Sequence, residues 1–246
     1  MNIDILTLFP EMFTAVTSSI LGKAGEKGIL DIRLTNIRDY SMDKHKKADD
    51  YPFGGGAGMV LLADPVFRAM EAVKAEGKRS LYMSPRGRIL DQELIQQLAQ
   101  EKELVILCGH YEGVDQRILD YWNMEEVSIG DYVLTGGELP AMVLIDSVAR
   151  MIPDVLSSSH AALDESVYSG LLEYPQYTKP RNYRDMEVPE VLVSGNHKNI
   201  HLWKLEQSLR LTKQRRPDLF RKFLSKGESL TKEEKKLLEK ILEIDR

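Results

Sequence analysis

Five short aliphatic runs recur through the first 150 residues, separated by stretches with helical spacing. The runs are Ile3–Leu8, Leu30–Asn36, Arg79–Met83, Leu104–Cys108 and Glu126–Ile129, rich in Ile, Leu and Val and bounded by Gly, Pro, Ser or Asp. Strands alternating with helices imply an α/β fold with a parallel sheet covered on both faces. Asp64 followed by Pro65 reads as an N-cap with proline at the first helical position, opening a helix through about Ala75. Asp91 opens a second, with Leu94, Ile95 and Leu98 on one face. Val114–Tyr121 and Leu139–Ile152 are further helical segments.

From Pro153 to about Gly195 the pattern breaks down, with SSSH at 157–160 and prolines at 153, 175, 180 and 189. So long an irregular stretch is a linker, a disordered loop or a functional lid. Helical spacing returns from Ile200, through Leu202, Leu205 and Leu209 and later Leu237, Leu238, Ile241 and Leu242. The break at Arg216–Pro217 and the cap at Ser229–Leu230–Thr231 divide this part into about three helices. The expected organisation is an α/β domain over 1–160, a flexible interdomain linker over 161–180 and a small all-helical domain over 181–246.

Charge is distributed unevenly. The chain of 246 residues carries a net −5, but 196–246 hold 14 Lys and Arg against 8 Asp and Glu. An acidic body with a basic tail is the asymmetry expected when one part grips phosphates and another does something else. No apolar run approaches the ~20 residues a bilayer requires. The N-terminus lacks a basic n-region and carries Asp4 and Glu11, unlike a signal peptide. Cys108 is the only cysteine, which leaves no intramolecular disulfide and points to a reducing, cytoplasmic setting.

The glycine-rich segment Phe53–Gly58 is neither a P-loop, since no Gly-Lys-Ser/Thr follows, nor a dinucleotide fingerprint, since the glycine spacing fails. It is either a surface loop or a place where backbone approaches a ligand closely. The preceding DKHKKADD suits a loop that closes over a polyanion. Three other loops each follow an apolar strand: Ser84–Gly87, Gly109–Gly113 and Ser128–Gly137. In open α/β sheets ligands bind beyond the carboxyl ends of strands, where such loops collect. Their glycines expose backbone groups that can read an adenine edge, and Tyr111, Leu134 and Pro140 supply apolar walls. His197 and His201 have i, i+4 spacing but no third ligand, so they read as helix-surface or RNA-contacting histidines rather than a metal site. Cys108 closes a strand and reads as a buried small hydrophobe.

Together these segments resemble the bacterial tRNA (guanine-N1)-methyltransferases, which methylate the guanosine 3′ of the anticodon. The resemblance runs nearly end to end. It is carried by IDILTLFPEMF, DDYPFGGGAGMV, LYMSPRGR, LCGHYEGVDQRI, SIGDYVLTGGELPAMVLIDSVARMIPDVL, SGLLEYPQYTKP, VPEVLVSGNH and LRLTKQRRPDL. It implies the knotted α/β domain of that methyltransferase superfamily, an exception to the rule against threaded loops. The three loops would form the knot and hold S-adenosylmethionine in a bent shape, in an obligate homodimer with its active site between protomers. The cofactor residues it implies are Tyr82, Ser84, Pro85, Gly109, Tyr111, Glu112, Gly113, Ser128, Ile129, Gly130, Asp131, Tyr132, Val133, Leu134, Gly136, Gly137 and Pro140. Arg150 matches the catalytic arginine. Some members depend on magnesium, and no ligand set in this sequence locates it.

One departure concerns the general base. The family commonly has Asp-Ser-Phe before the GLL segment, whereas this chain reads Asp164–Glu165–Ser166–Val167. Alignment on Ser166 and Gly170 puts Glu165 at the base position, with Asp164 one residue earlier as the alternative. The chemistry suits these residue types: guanine N1 is a poor nucleophile until its proton leaves, and a positioned carboxylate that takes it contributes ~10²–10⁴-fold. Charge then develops on O6, where an arginine fork stabilises it. Lys204, Arg210, Lys213, Arg215 and Arg216 would contact tRNA phosphates and make binding salt-dependent. Two rival readings are a knotted methyltransferase acting on another RNA and a non-catalytic RNA-binding module.

Overall fold

In the computed structural model, which describes residues 1–156, 170–226 and 230–243, all five expected strands form and lie side by side. The elements of the first part are β1 (Asn2–Thr7), α1 (Ser19–Glu26), β2 (Asp31–Asn36), β3 (Asp49–Asp50), β4 (Val60–Leu61) and α2 (Ala63–Ala72). They continue with β5 (Arg79–Ile89), α3 (Gln92–Leu98), β6 (Glu103–Cys108), α4 (Gln116–Tyr121), β7 (Glu125–Ser128) and α5 (Glu138–Ala149). Short 3₁₀ helices cover Pro10–Ala15 and Ile37–Tyr40. The sheet runs β2-β1-β6-β5-β7 with every neighbouring pair parallel, while β3 and β4 form a small antiparallel pair.

The aliphatic runs of the central strands β1, β6 and β5 are continuous because both faces of the sheet are covered there, whereas the edge strand β2 has no buried residue. On β6, Leu104, Ile106 and Cys108 enter one core with α1, α3 and α5, while Val105 and Leu107 enter the other with α2 and α4. Asp4 of β1 is buried and pairs with Lys78 Nζ at 3.0 Å. Removing one partner of such a pair costs about 3–5 kcal/mol, because the other charge stays buried. Asp91 caps α3 as expected, its Oδ1 accepting from the Leu94 amide at 2.9 Å. Leu94 and Leu98 are fully buried, each contributing roughly 1.5–3 kcal/mol.

Two local expectations are corrected. The second helix begins at Ala63 with Leu62 as N-cap, so Asp64 lies inside its first turn and pairs with Arg68 one turn on. β5 does not stop at Met83: after an irregular turn it pairs again with β7, Arg88 opposite Val127 and Ile89 opposite Ser128. Gly87 makes that return possible, because a Cβ there would collide with the backbone of Glu126 and Val127.

The chain divides into two units, Met1–Ser159 and His160–Arg246. The second contains a hairpin of β8 (Asn182–Tyr183) and β9 (Met186–Glu187), then α6 (Glu190–Val193), α7 (His197–Arg215), α8 (Pro217–Lys226) and α9 (Lys232–Glu243). Leu209, Phe220, Phe223 and Ile241 form its core, and Leu171 is buried among them. The Leu172 amide also donates to Thr212 Oγ1 at 2.8 Å. The segment read as linker is therefore already packed against helices at Leu171, because its apolar side chain fills the helical core.

Candidate active site

The loops after β5, β6 and β7 and the first turn of α5 surround one cleft of about 340 Å³, within the ~300–1,000 Å³ range of small-molecule sites. Because β6, β5 and β7 are adjacent in the sheet, loops far apart in sequence end at the same edge. Tyr82, Ser84, Pro85, Gly109, Tyr111, Glu112, Gly113, Ser128, Ile129, Gly130, Tyr132, Val133, Leu134, Gly136, Gly137 and Pro140 all line it. Asp131 does not; its side chain is exposed at the loop tip. Arg86, His110, Thr135 and Gln116 line the cleft too and were not singled out from sequence. The first three lie inside the strand-end loops already recognised, so loop membership was the signal that could have found them.

The cleft is held by backbone contacts. Gly137 N–H donates to Gly109 C=O at 2.8 Å, and His110 bridges Gly136 in antiparallel fashion. A Cβ on Gly137 would sit 2.8 Å from Gly109 N and 2.9 Å from Cys108 Cα, so only glycine lets α5 begin this close to the end of β6. The Glu112 amide donates to Met59 C=O at 3.0 Å and the Leu61 amide to Gly113 C=O at 3.0 Å. Those bonds tie the second loop to the chain just after the glycine-rich segment. Behind the cleft, Thr7 Oγ1 donates to Glu138 Oε1 at 2.8 Å, both side chains buried. The Glu138 carboxylate also sits in the first turn of α5, where the helix dipole favours negative charge.

Burial pushes the Tyr82 phenol above its ordinary value; Arg86 opposes the shift and Glu126 adds to it. The hydroxyl therefore stays protonated and able to donate at neutral pH. Burial likewise holds the Cys108 thiol well above its usual range, fitting a packed, unreactive side chain. The His110 ring lies 5.0 Å from both Phe9 and Tyr111, and its buried Nδ1 has no hydrogen-bond partner among the described residues.

Residues 1–222 match the model of a family described as tRNA (Guanine-1)-methyltransferase TrmD. The chain belongs to that family. Among relatives named tRNA (guanine-N(1)-)-methyltransferase, that of Ruminiclostridium cellulolyticum is 54% identical, covering 92% of this chain and 99% of its own. Those of Clostridium botulinum (strain Kyoto) and Clostridium novyi are 53% and 52% identical, each covering 97% of both chains.

The other residues that tRNA (guanine-1)-methyltransferase membership brings into question are placed as follows. Arg150 is the C-cap of α5, its amide donating to Asp146 C=O at 3.2 Å, and it does not line the cleft. Ten residues of helix from Pro140 put it about 15 Å further along the axis. Asp164 and Glu165 lie outside the described residues. Of the cations expected to meet tRNA, Lys204 Nζ sits 4.5 Å from the Tyr174 ring centroid, and Arg210 pairs with Glu206 at 2.8 Å. Lys213 Nζ donates to Ile241 C=O at 2.6 Å, and Arg216 grips Asp218, holding that carboxyl down at about 2. Arg215 is exposed. His201 Nε2 lies 2.7 Å from Glu234 Oε1, linking α7 to α9. Among the described residues no group of three or more His, Cys, Asp or Glu could hold a metal ion, and no helix is long and apolar enough to cross a membrane.

Proposed function

We propose that this tRNA (guanine-1)-methyltransferase moves the methyl group of S-adenosylmethionine to N1 of the guanosine 3′ of the anticodon, as a cytoplasmic homodimer. The observation that carries the reading is the single cleft at the ends of β5, β6 and β7, built by loops of the family's most specific segments. The residues fit the cofactor. Glycines at 109, 113, 136 and 137 let a ligand lie directly against the backbone wall with no side chain between, Tyr82 offers a donor, and the orphaned Nδ1 of His110 lies beside the cleft. When bound, the cofactor supplies a methyl group made electrophilic by its sulfonium, and the three loops are read as the family's knot.

The protein's part is to prepare the guanine. Glu165, or Asp164 one residue before it, takes the proton from N1, and the Arg150 guanidinium stabilises the charge that develops on O6. Arg150 is about 15 Å of helix away from its own cleft, which supports a site completed by a second protomer. α5 supports the same reading: it is apolar nearly all round, and Leu139 and Val143, one turn apart, stay 48% and 46% exposed in the single chain. In this reading 1–160 binds the cofactor and 181–246 grips tRNA, with Lys204, Arg210, Lys213, Arg215 and Arg216 contributing to its phosphates.

The test is methyl transfer from labelled S-adenosylmethionine to unmodified tRNA bearing G after the anticodon, beside the same tRNA with that G replaced. Transfer to the first alone, with N1-methylguanine found on digestion, is expected. Transfer to both would move the target to another base. Arg150→Ala and Glu165→Gln should each lower the rate by ~10²–10⁴-fold while calorimetry shows cofactor binding retained. Near-normal turnover in both variants would overturn the mechanism.

A further inference from the structure

The helical unit carries a second concavity, of about 450 Å³, between α6, α7 and α9. Its floor is apolar: Val191, Leu202, Trp203 and Leu237, all only partly buried. The Trp203 indole is held in place by Tyr174 and Tyr177, whose rings lie 6.5 and 6.3 Å from it. Lys236 and Lys240 stand on the rim, exposed and one turn of α9 apart, about 6 Å along its axis. The acids on the same rim are already paired, Glu206 with Arg210 at 2.8 Å and Glu233 with Lys198 at 2.7 Å. Three of the basic side chains expected to meet phosphates, at 210, 213 and 216, are likewise occupied within the protein. Lys236 and Lys240 have no ion-pair partner among the described residues.

We propose that this groove is a nucleotide subsite for the substrate tRNA, with a base against Trp203 and backbone phosphates on Lys236 and Lys240. The proposal rests on the reading of tRNA as substrate. A flat aromatic floor beside two unneutralised cations matches the two halves of a nucleotide, and stacking on an indole tolerates any base. The surrounding basic tail, net +6 over 196–246, supplies the long-range attraction. The subsite would hold the RNA at a place other than the methylated base.

The experiment uses the full chain and the unmodified tRNA described above. Trp122→Phe leaves Trp203 as the only tryptophan and removes an indole N–H that has no partner among the described residues. Saturating tRNA should quench the remaining fluorescence, with a midpoint equal to the Kd from filter binding. Lys236→Ala with Lys240→Ala should weaken tRNA binding and lower the slope of log K against log salt by about 1.5, the loss of two phosphate contacts. Cofactor binding should be unchanged, which certifies the fold. A wild-type salt slope in the double variant, or fluorescence that follows protein concentration instead of tRNA, would overturn the subsite while leaving tRNA as substrate. If the wild-type protein binds no tRNA at all, subsite and substrate reading fall together.

Discussion

Gly137 holds two elements together by what it lacks. Its amide reaches Gly109 C=O at 2.8 Å, and the neighbouring backbone fills the space a methyl group would need. Gly137→Ala should push α5 away from the end of β6, at a cost of about 1–3 kcal/mol for overpacking. Both loops line the cleft, so cofactor affinity should fall at least tenfold, read by calorimetry beside thermal unfolding. Wild-type affinity in this variant would mean that the close approach does not shape the cleft. The residue was legible because it closes a glycine-rich loop between a strand and a helix. Glu138, its neighbour, was not: its buried partner Thr7 lies 131 positions away, and no local pattern announces such a pair.

Elements were read best where periodicity and capping agree. The central strands β1, β6 and β5 fell into place because their aliphatic runs bury side chains in both cores, the edge strands β2 and β7 because they pair with them, and the Asp91 cap because its side chain reaches the Leu94 amide. β5 ran past its expected end because SPRG has loop composition, and only pairing with β7 shows that the chain resumes extended structure. The Thr231 cap at the start of α9 was legible and is reciprocal: the Thr231 amide donates to Glu234 Oε2 at 2.7 Å and the Glu234 amide to Thr231 Oγ1 at 3.3 Å. The bond to His201, followed by that to the Thr231 amide, holds the Glu234 carboxyl below its usual range. A group whose folded pKa is depressed gives stability that is fully present above its unfolded pKa and lost as pH falls through the folded value. The helical unit should therefore lose stability below about pH 4.5, where an unfolded glutamate begins to protonate. Glu234→Gln keeps an acceptor for the cap but removes the charge. It should be less stable than wild type at pH 7 and converge with it at low pH, as measured by denaturant unfolding across pH. A constant difference at all pH values would mean that the carboxylate charge contributes nothing to docking α7 on α9.

At the scale of the whole molecule, the proposed mechanism spreads its residues along α5. The cleft opens at the first turn of α5 and Arg150 ends the same helix, so a rigid rod of about 15 Å runs from the cleft to the arginine. Apolar side chains at 139 and 143 on that rod are left uncovered, and a two-fold pairing through them would bring each Arg150 toward the other protomer's cleft. Little of this was visible in the order of residues, because the apolar surplus of α5 calls for cover on more than one side without naming what provides it. Mixing two inactive variants tests the arrangement directly. Gly130→Val drives a branched side chain into the Tyr132 ring and damages a cleft without touching α5 or its arginine, while Arg150→Ala removes the arginine and leaves a cleft. When the two are unfolded together and refolded in equal amounts, half the dimers combine one of each. In a mixed dimer, the sound cleft of one protomer meets the sound arginine of the other, giving one working site of two and about a quarter of wild-type activity in the mixture. Were Arg150 to serve its own cleft, both sites of the mixed dimer would carry a lesion, and the mixture would show no activity above that of its separate components.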